Sequence, residues 1–120
     1  MQELQTTTQE ASVIPSQTAA IGLPLVLVAD ADAGSRLRRA RQLATRGFRV
    51  AVARTPFETI VKACCHMPEV IVIDTSLGEA GVVETVELLT TCPATAHIPI
   101  VRLRGGRRLP ARLVSHRFSA

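Results

Sequence analysis

Glu69-Val70-Ile71-Val72-Ile73-Asp74 is a short apolar run, dominated by β-branched side chains, that closes on an acid. Consecutive apolar positions leave no polar face, so a strand built from them must be covered on both sides. Upstream, Pro24-Leu25-Val26-Leu27-Val28-Ala29-Asp30 repeats the design and again ends in a carboxylate. Two further runs share the character: Arg49-Val50-Ala51-Val52-Ala53 and Ile98-Pro99-Ile100-Val101-Arg102-Leu103. In chain order these predict four strands.

The segments between them have helical periodicity. Ala33, Leu37, Ala40 and Ala44 fall on one predicted buried stripe, with Arg38, Arg39 and Arg46 directed elsewhere. Gly47 stands where a left-handed residue would end that helix. Thr55-Pro56-Phe57-Glu58 predicts the next helix start: a Thr cap, Pro at the first helical position and Glu placed to bond back. That helix is expected to run to about Cys65 and stop before Pro68. A third is expected over Val82 to Thr90, with Val82, Val86 and Leu89 inward. Strands alternating with helices give an α/β fold, a parallel sheet with right-handed crossovers.

Composition is consistent with this. The chain has 120 residues, 47% apolar and 20% charged, which suits one small globular domain. Its only aromatics are three Phe, too few for a base-stacking surface. No apolar run approaches the roughly 18 to 20 residues of a membrane span. Residues 1–20 contain no Lys or Arg and no apolar core of a secretory signal, so the expected location is cytoplasmic. Residues 1–22 read as a flexible lead-in rich in Gln, Thr and Ser, and 106–120 as a basic tail. Cys64, Cys65 and Cys92 lack zinc-ligand spacing and are expected to be reduced, partly buried packing residues.

Function in an open parallel sheet collects at the carboxyl ends of the strands. Asp30 and Asp32 follow the first strand and Asp74 ends the third. Carboxylates converging there suit a hard divalent cation, or a carboxylate that accepts a phosphoryl group. Asp32, just before a helix, reads equally as its N-cap. The net charge of +4 includes seven Arg between Asp32 and Glu58 with no intervening acid, and six Arg after Glu87. Such a balance permits nucleic acid, but no helix-turn-helix pattern accompanies the tail, so this partner is not expected. No GxGxxG or GxxxxGK[ST] follows the first strand, which argues against a nucleotide-binding enzyme.

Four blocks, taken in order and spacing, resemble a bacterial two-component response-regulator receiver domain over residues 23–105. They are Leu25-Val26-Leu27-Val28-Ala29-Asp30-Ala31-Asp32 with Arg36, then Gly47-Phe48-Arg49-Val50, then Pro68-Glu69-Val70-Ile71-Val72-Ile73-Asp74, and His97-Ile98-Pro99-Ile100-Val101. The resemblance implies a flavodoxin-like sheet of strand order 2-1-3-4-5, not an enzyme in its own right. It implies phosphoryl transfer from a histidine kinase or phosphotransfer protein onto Asp74. It also implies Mg2+ held by Asp30, Asp32, Asp74 and the backbone carbonyl of Ser76.

The chain departs from that family's pattern in several places. Alignment on Arg36 and Gly47 sets Ala31 where the second metal-binding acid belongs, so Asp32 substitutes only if the loop shifts. Arg104 stands at the switch Ser/Thr position, and no Lys-Pro follows. The fifth βα unit is missing or incomplete, leaving an exposed edge at Ile98 to Leu103 that would pair with a second copy or a partner protein. Weakened or lost Mg2+ binding follows from these losses. The alternative reading is therefore a pseudo-receiver: the same fold, no phosphorylation, acting as a protein-interaction module.

Overall fold

The continuous apolar runs become the inner strands of a sheet with both faces covered. A computed structural model describes residues 22–104 and Leu109; the expectations for 1–21, 105–108 and 110–120 lie outside the described residues. The elements are β1 (Leu25–Ala29), α1 (Ala33–Thr45), β2 (Arg49–Ala53), α2 (Pro56–His66), β3 (Val70–Asp74), a 3-10 turn (Thr75–Leu77), α3 (Glu79–Thr91) and β4 (Ile100–Leu103). All pairings are parallel, in the order β2-β1-β3-β4. This is the expected flavodoxin-like, receiver-like order across the described strands. The outer edge of β4 has no partner strand among the described residues.

Alternation along each strand sorts the core into two layers. Leu25, Leu27 and Ala29 pack with Ala51, Ala53, Ile71 and Ile73 beneath α2 and α3, through Ala63, Val82 and Leu89. Val26 and Val28 pack with Val50, Val70 and Val72 beneath α1, through Ala40 and Leu43. Leu109, from the stretch read as a tail, is buried in this second layer. Because Ala29 pairs with Ile73, the next residues, Asp30 and Asp74, leave adjacent strand ends toward the α1 side.

Local chemistry sets the boundaries. Thr55 Oγ1 accepts the Glu58 amide at 3.0 Å as the α2 cap. Glu58 Oε1 reaches one residue further back than a reciprocal capping box would, accepting the Arg54 amide at 2.7 Å. Gly47 has φ 94, as its C-terminal position after α1 requires. β4 begins at Ile100 rather than Ile98; Pro99 has no N–H to give, although its carbonyl accepts from Ile71 at 3.0 Å. α3 begins three residues earlier than the sequence implied, directly after Gly78 at φ 95.

The α1 stripe is a correction. Leu37 is 49% exposed and Ala33 is exposed, whereas the buried residues are Ser35, Arg39, Ala40 and Leu43. An arginine expected to face solvent is turned into the protein at 4% exposure. Cys64 and Cys65 are likewise exposed rather than packed.

Candidate functional site

Asp30 and Asp74 are almost wholly inaccessible, at 0% and 1% exposure. Two carboxylates on adjacent strand ends repel unless a cation lies between them. Arg39 supplies it. Its Nη1 donates to Asp74 Oδ1 at 2.7 Å and to Asp30 Oδ2 at 3.2 Å. Its Nη2 lies 3.4 Å from the Arg104 carbonyl. The residue is placed there by helical geometry: Ser35, Arg39 and Leu43 recur every four positions and share the face of α1 that meets the sheet.

Smaller donors complete the pocket. Ser35 Oγ donates to Asp30 Oδ2 at 2.5 Å, and the Asp32 amide to Asp30 Oδ1 at 2.9 Å. Ser76 ties the two acids together: its amide donates to Asp74 Oδ2 at 2.7 Å and its hydroxyl to Asp30 Oδ1 at 2.9 Å. The same hydroxyl accepts the Ala31 amide at 2.9 Å. Arg36 Nη1 donates to the Asp30 carbonyl at 2.9 Å, fixing the loop that presents the acid. Burial works to raise the Asp74 pKa, but the Ser76 amide and the Arg39 guanidinium together outweigh it and hold the carboxyl below its ordinary value.

The Asp32 side chain, unlike its amide, stands apart from this network. Its exposed carboxylate accepts the Ser35 amide at 2.8 Å and caps α1. Of the acids singled out in the sequence, the structure brings together Asp30 and Asp74, and leaves Asp32 at the helix start. Ser76 joins them through its amide and hydroxyl. Among the described residues no group of three or more His, Cys, Asp or Glu side chains is placed to hold a metal ion. The site therefore does not fit Mg2+ as it stands: a guanidinium already bonds both carboxylates that would bind the ion.

Arg104, the residue after β4, offers its carbonyl to Arg39. Its residue also lines a cleft of about 630 Å³ with Glu79, Val82, Val83, Arg102 and Leu103. Sequence reasoning missed Arg39. The signal available for it was the pair of strand-end acids with no Lys downstream to neutralise them.

The shape of the chain is that of known receiver domains. It is similar to the N-terminal domain of a response regulator receiver protein from Methanoculleus marisnigri JR1, at 25% identity and TM-score 0.66, over 74% of this chain and 72% of that one. The chemotaxis response regulator CheY4 of Vibrio cholerae matches at 22% identity and TM-score 0.62, over 67% of each chain. A response regulator from Desulfuromonas acetoxidans matches at 19% identity and TM-score 0.61, over 71% of this chain and 69% of that one. The last two likenesses concern the fold alone. No family model matches the chain, and no curated protein matches it by sequence.

Proposed function

We propose that this receiver-like domain is a phosphorylation-independent interaction module, docking to a histidine kinase or phosphotransfer protein in the cytoplasm without taking a phosphoryl group. One observation carries the reading: the Arg39 guanidinium bonded to both Asp30 and Asp74. Phosphoryl transfer depends on positioning and on cations arranged around the transferred group. Here the cation is part of the chain and bridges the two acids in the resting pocket. Both oxygens of Asp74 already accept hydrogen bonds, from Arg39 and Ser76, and the carboxyl group is enclosed. Attack on a phosphoryl donor would require opening this pocket, because the carboxyl group that must meet the donor is buried. Among the described residues, no helix is long and apolar enough to cross a membrane.

A second reading has one observation in its favour. The lowered pKa keeps Asp74 ionised, the form in which a carboxylate attacks phosphorus. Incubation with acetyl phosphate and Mg2+, followed by intact-mass measurement, separates the two. The interaction-module reading predicts no mass gain. Gain of one phosphoryl group that disappears in Asp74→Ala would replace it with the phosphoacceptor reading.

A further inference from the structure

On the sheet face opposite Arg39, α2 turns Thr59 and Ala63 into the protein. A surface helix with a buried face ordinarily has a polar one outside. The outer side of α2 is apolar instead. Phe57 is 78% exposed and Val61 41% exposed, and the thiols of Cys64 and Cys65 are exposed as well. Phe57, Val61 and Cys64 are separated by four and then three positions, the spacing that sets side chains in one row and forms the seam of a helix pair.

The charged side chains of the helix are engaged elsewhere. Lys62 Nζ donates to the Val52 carbonyl of β2 at 2.7 Å and lies 3.3 Å from Glu58 Oε2. Glu58 Oε1 accepts the Arg54 amide at 2.7 Å. The charges left at the two ends of the row are opposite in sign. Arg54, its side chain 69% exposed and 3.6 Å from Glu58, stands seven positions before Val61. Glu69, exposed and without an ion pair among the described residues, stands eight positions after it.

We propose that this row is a self-association surface whose partner is a second copy of the same chain, with the two α2 helices antiparallel about a two-fold axis near Val61. An isologous contact needs a patch complementary to itself, and opposite charges equidistant from an apolar centre provide one. Antiparallel pairing brings Arg54 of each chain to Glu69 of the other and sets Phe57 against the Cys64–Cys65 end of the partner helix. It also opposes the two helix dipoles. Parallel pairing would stack Arg54 on Arg54 and Glu69 on Glu69, and is disfavoured. One face of an 11-residue helix is smaller than the about 800 Å² per partner of a standard interface, so the dimer is weak, with a dissociation constant of about 100 µM. α2 covers the sheet face opposite the acid pocket, so this association is independent of what that pocket does.

Sedimentation equilibrium of the reduced full chain, from about 10 µM to about 1 mM, tests the proposal. The average mass is expected to rise from 12.9 kDa toward twice that value. Val61→Arg, which buries a charge at the axis, is expected to hold the chain at monomer mass. Arg54→Glu is expected to weaken the dimer at least about tenfold, and Arg54→Glu with Glu69→Arg to restore it, because the pair is re-formed with its signs exchanged. Circular dichroism checks that each variant is folded. A second readout needs no variant: Cys64 and Cys65 should react more slowly with a bulky maleimide as wild-type concentration rises. Monomer mass throughout the range would overturn the proposal, as would maleimide rates independent of concentration. A dimer that persists in folded Val61→Arg would place the contact elsewhere, and failure of the double exchange to restore association would refute the antiparallel register.

Discussion

Replacing Arg39 with methionine removes the charge while keeping most of the buried side-chain volume. The guanidinium contacts Asp74 at 2.7 Å and Asp30 at 3.2 Å, and both carboxylates are enclosed. Without it, two ionised groups remain side by side on strands whose preceding residues, Ala29 and Ile73, are in register. Breaking a buried pair by deleting one partner costs about 3–5 kcal/mol. For a folded region of this size, each kcal/mol lowers the melting midpoint by about 4–8 °C, so a fall of at least about 12 °C is expected at neutral pH. Such a loss is a large part of the roughly 5–15 kcal/mol that holds a domain folded. Urea and thermal unfolding followed by circular dichroism measure it. The gap between variant and wild type should narrow in acid, as the carboxylates protonate. A cost below about 1 kcal/mol, the value of an exposed ion pair, would refute the buried placement of Arg39.

Asp74 has its folded-state pKa below the ordinary 3.8, the Ser76 amide and Arg39 outweighing burial. Its stabilising contribution is therefore fully present above the unfolded value and is lost as pH falls through the folded one; an acid titration of the melting midpoint should show this drop, and Asp74→Asn should remove it. Asp32→Ala is expected to cost about 1 kcal/mol by uncapping α1, whereas Asp32→Asn, which still caps, should be near neutral in urea unfolding. Gly47→Ala places a side chain at φ 94 and should lower stability by about 1–2 kcal/mol in the same assay.

The sheet was legible because its strands are buried on both faces, so the runs at Leu25–Ala29 and Val70–Asp74 carry no competing period. The α2 start was legible because Thr55, Pro56 and Glu58 are local signals that no tertiary contact overrides. The α1 face was not. A reading that sends charge outward places Arg39 in solvent and Leu37 inside, and the protein does the reverse. The reason is non-local: two acids delivered by β1 and β3 make an interior site where a guanidinium is favoured over a leucine. No helical pattern within Ala33–Thr45 states that. Asp32 remained open for a related reason, since metal ligand and helix cap ask for the same residue type at the same place. The thiols were misjudged because a cysteine's usual burial says little about residues in the last turn of a helix; Cys64 and Cys65 lie there.

The claim that Arg39 takes the place of a divalent cation is tested most directly by titrating the wild-type chain with Mg2+ at constant ionic strength and following its melting midpoint. An ion that binds the folded state raises the midpoint in proportion to RT ln(1 + [Mg2+]/Kd). With the guanidinium seated on both carboxylates, the midpoint should stay flat through the millimolar range. A saturable rise that disappears in Asp74→Asn would show that Mg2+ displaces Arg39 and would contradict the account.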